Sequence, residues 1–264
     1  MQFNQIITRQ KIGVTLVLFV VILQARAYDF EDNGIFYNIT AKNTVEVTCN
    51  TDTLDGYSGT VIIPKTIRFA DKKYKVIRIG NFTFFRCKKL DSVIIPEGVT
   101  SIGNAAFGNS SIISVIIPTS VRSIERFSFV LCENLESIVI PDRVKRLEDA
   151  TFAGCSSLVS VTIPNSISYI GNVVFFQCPK LEFITIPKNI SKDGTFGSCS
   201  VFLDCENLKR IQVFWKNPPK VGAAFNQFNM SQCTLLIPKG SKSKYMNTEV
   251  WRDFGIIDEY NTQK

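Results

Sequence analysis

A repeat of about 23 residues is the feature that most constrains how this chain can fold. Six of the chain's Ile-Pro pairs mark this repeat, and after a first interval of 32 residues their prolines are spaced 22, 23, 23 and 23 residues apart. These prolines are Pro64, Pro96, Pro118, Pro141, Pro164 and Pro187. Apolar residues recur between them at eight equivalent positions, which in one unit are Val144, Leu147, Ala150, Phe152, Cys155, Leu158, Val161 and Ile163. Agreement over three consecutive units predicts a stack of equivalent structural units that share one continuous core.

Three units depart from this regular spacing. The first interval contains an additional segment, Arg68–Lys75, after which the pattern resumes at Val76. The second interval is one residue short, and Asn109 is predicted to stand where the other units have cysteine. An insertion around Gly194–Ser200 delays the last recognisable unit, which ends at Val213.

Each unit contains one short stretch with the alternation of a β-strand, such as Ser160–Ile163. Its β-branched residues and period of two favour a strand, and proline ends it because proline donates no ladder hydrogen bond. Equivalent strands should pair in parallel at a spacing of about 4.8 Å. The fold class predicted for the chain is therefore a mainly β repeat solenoid with one short parallel strand per unit, spanning residues 61–214.

The two ends of the stack are predicted to be closed by dissimilar caps, because an open solenoid exposes core residues and strand edges. Over residues 28–60 the cap should be a β-hairpin of Gly34–Thr40 and Thr44–Thr48. Over residues 215–264 it should contain a strand at Cys233–Pro238 and a short helix from Ser241 to about Met246, with Trp251 and Phe254 packed over the open end.

Residues 1–27 have the layout of a secretory signal peptide. Arg9 and Lys11 precede the apolar run Val14–Leu23, and Ala25-Arg26-Ala27 offers small residues for cleavage. The run is too short for a span of about 20 residues, so we expect cleavage near Tyr28, with a retained anchor as the alternative. The expected location is secreted or at the cell surface, with no stable membrane span after signal removal.

Composition excludes several classes of function. The chain has no histidine, so a Ser-His-Asp triad, a Cys-His pair and a histidine zinc site are all excluded. Removal of residues 1–27 leaves 27 basic and 23 acidic residues, a net charge of +4 that predicts no nucleic-acid partner. The acidic residues show no pair suited to acid–base chemistry, so we predict no catalytic residues, no metal site and no cofactor.

The cysteines of the repeat should lie in one buried row, because Cys132, Cys155 and Cys178 are 23 residues apart and Cys87 and Cys205 hold equivalent places. They are interpreted as buried thiols that fill small spaces in the core, with a disulfide or metal site as the alternative. A disulfide between Cys199 and either Cys205 or Cys233 is predicted as the most favoured pairing among the remaining cysteines.

Two surfaces are candidates for binding a partner. Strand alternation directs apolar and β-branched residues outward on the solvent face of the strands, and the predicted partner-binding residues are Ile94, Ile116, Val139, Thr162, Phe183 and Thr185. The alternative is that these residues only support neighbouring strands or are covered by another segment. A basic cluster is a second candidate, for acidic glycans or an acidic protein, unless it is simply a solvated turn surface; its residues are Arg122, Arg126, Arg143, Lys145 and Arg146.

The repeat resembles the BspA-like leucine-rich-repeat family of bacterial surface proteins. The likeness is best seen at Ile95–Phe107 and Ile140–Leu158, and the flanking segments Asp32–Ile39 and Ile237–Tyr245 are similar to those of secreted members from anaerobic Gram-negative bacteria. The resemblance implies a cell-surface or exported protein that acts in adhesion or host-protein binding, without cofactor or catalytic residues. The expected partner is an extracellular-matrix or envelope protein. A purely structural envelope protein and, less favoured, a carbohydrate-active enzyme using carboxylates are the alternatives.

Overall fold

The computed structural model describes residues 28–50, 56–190, 196 and 199–261. The predicted signal peptide lies outside these residues, as does most of the insertion around Gly194–Ser200. The chain begins with six strands, of which all but β4 contribute to one sheet: β1 (Phe30–Asp32), β2 (Ile35–Ala41), β3 (Thr44–Thr48), β4 (Ser58–Ile62), β5 (Thr66–Phe69) and β6 (Lys72–Ile79).

One long wall of the molecule is built from a single strand per unit. Its strands are β4, β7 (Lys89–Ile94), β9 (Ser114–Ile116), β11 (Ser137–Val139), β13 (Ser160–Thr162), β15 (Phe183–Ile186), β16 (Arg210–Val213), β17 (Thr234–Pro238) and β18 (Ile256–Tyr260). The strands β4, β7 and β9 form one parallel sheet, and β11, β13, β15, β16, β17 and β18 form another. We call the outer surface of this wall the strand face. The predicted mainly β solenoid of parallel strands is confirmed.

A second, narrower wall runs along the opposite side of each unit. It comprises β3, β6, β8 (Ser101–Ile102), β10 (Ser123–Ile124), β12 (Arg146–Leu147) and β14 (Tyr169–Ile170). Within this wall β3 pairs in parallel with β6, β6 with β8, and β8 with β10. Strands β12 and β14 form a separate parallel pair. The additional segment Arg68–Lys75 of the first interval contributes to an antiparallel hairpin of β5 and β6.

A ladder of phenylalanine rings fills the core between the two walls. One ring per unit is buried, and neighbouring rings stack with centroids 5.0 to 5.9 Å apart and planes within about 20° of parallel; the rings are Phe84, Phe107, Phe129, Phe152, Phe175 and Phe202. Because each ring touches only those of the adjacent units, the ladder transmits packing along the stack but ties no distant units together.

The cysteines of the repeat lie beside this ladder, and four of their thiols each donate a hydrogen bond to the carbonyl of the phenylalanine one unit earlier. Cys132 donates to Phe107 at 3.0 Å, Cys155 to Phe129 at 3.1 Å, and Cys178 to Phe152 at 3.2 Å. Burial raises the pKa of the Cys155 and Cys178 thiols well above the ordinary value, so they stay protonated donors. The interpretation as buried thiols is confirmed.

Two predictions about this row of cysteines are wrong. In the short unit, Ser110 takes the cysteine position: it is buried three residues after Phe107, within 3.7 Å of the Cys132 sulfur. Asn109 is a turn residue with φ +56°, and the missing residue falls after Ser110. The disulfide predicted for Cys199 does not form, since all eight cysteines are free.

Two left-handed residues shape the turn in each unit. The first is the position held by Phe127 and Ala150 in two of the units, with φ of 58° and 53°. The left-handed backbone directs the side chains at this position away from the main core. Together with Phe85, Val130 and Ala153 they form a smaller hydrophobic cluster outside the ladder. The second left-handed position is held by Gly154 in one unit, where φ is +77°, and by other residue types, such as Leu131 and Gln177, in the neighbouring units.

Both ends of the stack are covered. The predicted hairpin is confirmed as β2 and β3, with β1 added on its outer edge. At the other end, the predicted strand and helix are found as β17 and α1 (Lys242–Met246), and β18 adds a further parallel strand. Trp251 is fully buried there, packs against Phe225 and donates from Nε1 to the Pro219 carbonyl at 2.7 Å.

Candidate functional site: the strand face

Four neighbouring strands present an apolar row on the strand face, which we call the apolar strip. Ile62 on β4, Ile94 on β7, Ile116 on β9 and Val139 on β11 are exposed by 64%, 53%, 83% and 63%. Register pairs Ile62 with Ile94 and Ile94 with Ile116, so their side chains stand next to one another. The residues on either side in each strand point inward, as Val93 and Val115 show by their burial. The predicted outward orientation of Ile94, Ile116 and Val139 is therefore confirmed.

The same row changes character in the second half of the stack. Val139 pairs with Thr162, which is exposed, and Thr185 on β15 is half-buried and pairs with Gln212. Leu236 on β17 is also half-buried and pairs with Asp258. The row is thus apolar over β4 to β11, where it forms the apolar strip, and polar over most of the remaining strands.

A second outward row runs parallel to the apolar strip, two residues earlier in each strand. It is formed by hydroxyl side chains in the first five units, and Thr60 and Ser92 share a hydrogen bond at 3.0 Å. Ser114 pairs with Ser92, and Ser137 with Ser160. Small polar side chains beside a row of large apolar ones leave a shallow step along which a partner could lie.

Phe183 belongs to this second row, because it pairs with Ser160 on one side and with Arg210 on the other. Its ring is 36% exposed, and the Arg210 guanidinium carbon lies 5.7 Å from the ring centroid. That distance is within the range of a cation–π contact, so Phe183 already has an intramolecular neighbour. It therefore stands apart from the apolar strip, although both lie on the strand face.

Sequence reasoning missed Ile62. The predicted solenoid begins at residue 61, but the additional segment after Pro64 obscured the first unit, so Ile62 was left out of the predicted outward residues. The tetrapeptide Val61-Ile62-Ile63-Pro64 nevertheless matches Val93–Pro96 and Val115–Pro118 residue for residue. That local identity was a sufficient signal.

The basic cluster lies away from the strand face, on and around the second wall. All five of its side chains are exposed. Of these five residues only Arg146 forms an ion pair with another described residue, Glu148, at 2.7 Å. Its guanidinium carbon also lies 3.7 Å from the ring centroid of Tyr169. Glu125 binds Arg78 at 2.7 Å instead, and Asp149 accepts a hydrogen bond from the Asn172 backbone. Of the three acids near the cluster, only Glu148 therefore forms an ion pair with it.

The described residues contain neither a metal-binding cluster nor a membrane-spanning helix. Groups of three or more cysteine, aspartate or glutamate side chains close enough to hold a metal ion do not occur among them. The same part of the chain has no helix with the length and apolar character needed to cross a bilayer.

Two solved structures illustrate what the fold is similar to. The T. pallidum leucine-rich repeat protein is 23% identical, with a TM-score of 0.58 over 70% of this chain and 84% of its own. A leucine-rich cell surface protein from Faecalibacterium prausnitzii A2-165 is 22% identical, with a TM-score of 0.56 over 79% of this chain and 70% of its own. At these identities the likeness concerns the fold. No curated protein matches the chain significantly.

The family profile of the BspA type leucine rich repeat region matches six copies of the repeat, over residues 65–145 and 122–241. These residues make up more than half of the chain and include the phenylalanine ladder, the buried thiols and most of the strand face. The chain belongs to the BspA-type leucine-rich repeat family.

Proposed function

We propose that this protein is an exported, non-catalytic binding protein whose strand face contacts a protein ligand of the extracellular matrix or the cell envelope. The observation that supports this function is the apolar strip. Soluble antiparallel and solenoid sheets usually direct polar residues to solvent, and a contiguous exposed apolar row indicates an interaction surface.

The size of the strip fits a contribution to binding and not the whole of it. Burying one such side chain fully contributes roughly 1.5 to 3 kcal/mol, and these four are already partly shielded. Their burial could therefore contribute several kcal/mol, against an association cost of about 4 to 15 kcal/mol. A partner must also use neighbouring groups, and the hydroxyl row beside the strip offers hydrogen bonds.

Export is proposed from the sequence of residues 1–27. The printed description of the F. prausnitzii structure as a cell surface protein supports the same location. A structural envelope protein without a specific ligand remains the alternative function, and it predicts that the apolar strip is covered by the protein's own assembly.

The experiment compares two double variants of residues 28–264 in a pull-down from matrix and envelope extracts. Ile116→Thr with Val139→Thr removes apolar surface from the strip, and Arg143→Ser with Lys145→Ser removes charge from the basic cluster. We expect the first pair to abolish capture of the ligand and the second to leave it unchanged, with circular dichroism verifying that both fold. Loss of capture only with the basic-cluster pair would refute the proposal.

A further inference from the structure

The first strand of the strand face has a free edge. Within the described residues β4 pairs only with β7, and the Ile63 N–H donates to the Ile94 carbonyl at 3.1 Å. In a parallel pair, alternate residues direct their N–H and C=O groups to the same neighbour. Ile63 and Val61 therefore face β7, and the backbone groups of Thr60 and Ile62 face away from it.

A cleft of about 530 Å³ lies along this edge, between β4 and the turn that joins β1 to β2. Its lining includes Gly34 of the turn, Thr60 and Ile62 of the edge, and the two buried tyrosines Tyr37 and Tyr57. The free edge thus has a wall opposite it, so a chain that paired with β4 would be held from two sides.

The hydroxyl of Tyr37 has no hydrogen-bond partner among the described residues. Tyr37 is fully buried, and its oxygen is the one buried side-chain polar atom of the described residues that remains unsatisfied. Tyr57, by contrast, accepts from the Phe36 N–H at 3.1 Å and donates to the Thr48 carbonyl at 2.6 Å. An unsatisfied buried hydroxyl costs free energy, and a ligand group in the cleft would remove that cost.

The charge of the cleft favours a basic ligand. Asp32 is half-buried, and it is the one charged side chain among the described lining residues. It forms no ion pair with another described residue. A lysine or arginine side chain entering the cleft would find the Asp32 carboxylate without a competing cation.

We propose that the free edge of β4 and the cleft beside it bind an extended segment of a partner protein, which adds a parallel or antiparallel strand to the strand face and directs a lysine or arginine side chain to Asp32 and the Tyr37 hydroxyl. Main-chain hydrogen bonds to Thr60 and Ile62 provide the pairing, and the charged contact provides the selectivity. The inference rests on the proposed function and names the kind of partner segment that would continue the row beginning at Ile62.

The probe is a set of capped seven-residue peptides of alternating valine and threonine, in which one position at a time is lysine, glutamine or glutamate. Amide hydrogen exchange of Thr60 and Ile62 reports pairing at the edge, and fluorescence anisotropy reports affinity. We expect a lysine peptide to slow exchange of both amides at least tenfold, with the glutamine and glutamate versions at least tenfold weaker in affinity.

Two variants test the side-chain contacts. Tyr37→Phe should weaken the lysine peptide at least fivefold while it leaves the thermal midpoint unchanged or raises it, which excludes misfolding as the cause. Asp32→Asn should abolish the preference for lysine over glutamine. Unchanged affinity in both variants, or no binding by any lysine peptide at millimolar concentration, would overturn the inference.

Two further outcomes separate this site from its alternatives. Concentration-dependent protection of Thr60 and Ile62 without peptide would indicate pairing with a second copy of the chain, and the inference would be wrong. The double variant Ile116→Thr with Val139→Thr should bind the peptide normally even if it loses the protein ligand. Failure of the edge site alone therefore leaves the proposed function of the apolar strip standing.

Discussion

Removing one ring from the middle of the phenylalanine ladder should reveal how strongly the stack depends on contacts between neighbouring units. Phe152 is fully buried and stacks on Phe129 and Phe175 at centroid distances of 5.6 and 5.8 Å. The substitution Phe152→Ala deletes both stacked pairs at once and leaves a cavity between two units.

The expected loss in the free energy of unfolding follows from these contacts. Truncation of a buried phenylalanine to alanine typically costs about 3 to 5 kcal/mol, and each aromatic pair contributes about 0.5 to 1.5 kcal/mol beyond its buried area. The adjacent rings are held by their own units, which limits collapse into the cavity. We therefore expect about 4 kcal/mol, a large fraction of the total of about 5 to 15 kcal/mol for a folded protein.

Urea unfolding at equilibrium, followed by circular dichroism, measures this loss. Phe183→Ala is the matched control, because that ring lies on the strand face and has only Arg210 as a described aromatic-face contact. The control should cost less than about 1 kcal/mol. The Phe152 variant should also unfold over a broader range of urea, because units on its two sides become less coupled. A loss within 1 kcal/mol of the control would refute the role of the ladder.

Three further outcomes are expected. Cys155→Ser should be milder than Cys155→Ala, by about 1 kcal/mol in urea unfolding, because a hydroxyl can keep the hydrogen bond to the Phe129 carbonyl. Ser110 already fills the equivalent buried position in the short unit. Gly154→Ala should destabilise the fold by about 1 to 2 kcal/mol, since φ is +77° and the new Cβ would approach the Leu131 side chain to 2.5 Å. Gln177 holds the equivalent position with φ +55°, and Gln177→Gly should therefore stabilise the fold. Burial raises the pKa of the Cys132 thiol from 9.0 to about 12, so the unfolded chain loses this proton at a lower pH than the folded chain. The free energy of unfolding should therefore be constant below pH 9 and decrease between pH 9 and 12. The decrease should be less steep in Cys132→Ser.

The period of the sequence predicted the solenoid because one rule governs every unit. Positions such as Phe152, Cys155 and Val161 are buried in every unit by the same stacking, so apolar residues recur in the sequence at a constant spacing. The turn between them is different. Phe127 and Ala150 are apolar like the core residues, yet their left-handed backbone directs them to a separate cluster. Hydrophobicity does not record backbone conformation, which is why sequence reasoning placed them in the main core.

Errors at the irregular units arose from alignment by spacing. Counting back from Pro118 placed the missing residue too early and selected Asn109, whereas counting forward from Phe107 would have selected Ser110. The strand β18 was missed because Ile256–Tyr260 follows the last repeat and contains the charged residues Asp258 and Glu259. The partner site itself stays a prediction, since outward orientation can be read from strand alternation but occupancy cannot.

The two halves of the strand face bear on whether the apolar strip serves folding or binding. If an apolar side chain were needed at this position only to support neighbouring strands, every unit would require one. Thr162 and Gln212 hold the same register as Ile116 and Val139 in equally regular parallel strands, and they are polar. Strand geometry therefore does not demand an apolar residue there. The apolar character of the first half is an addition to what the fold requires, and it lies next to the free edge of β4, where a partner strand would begin.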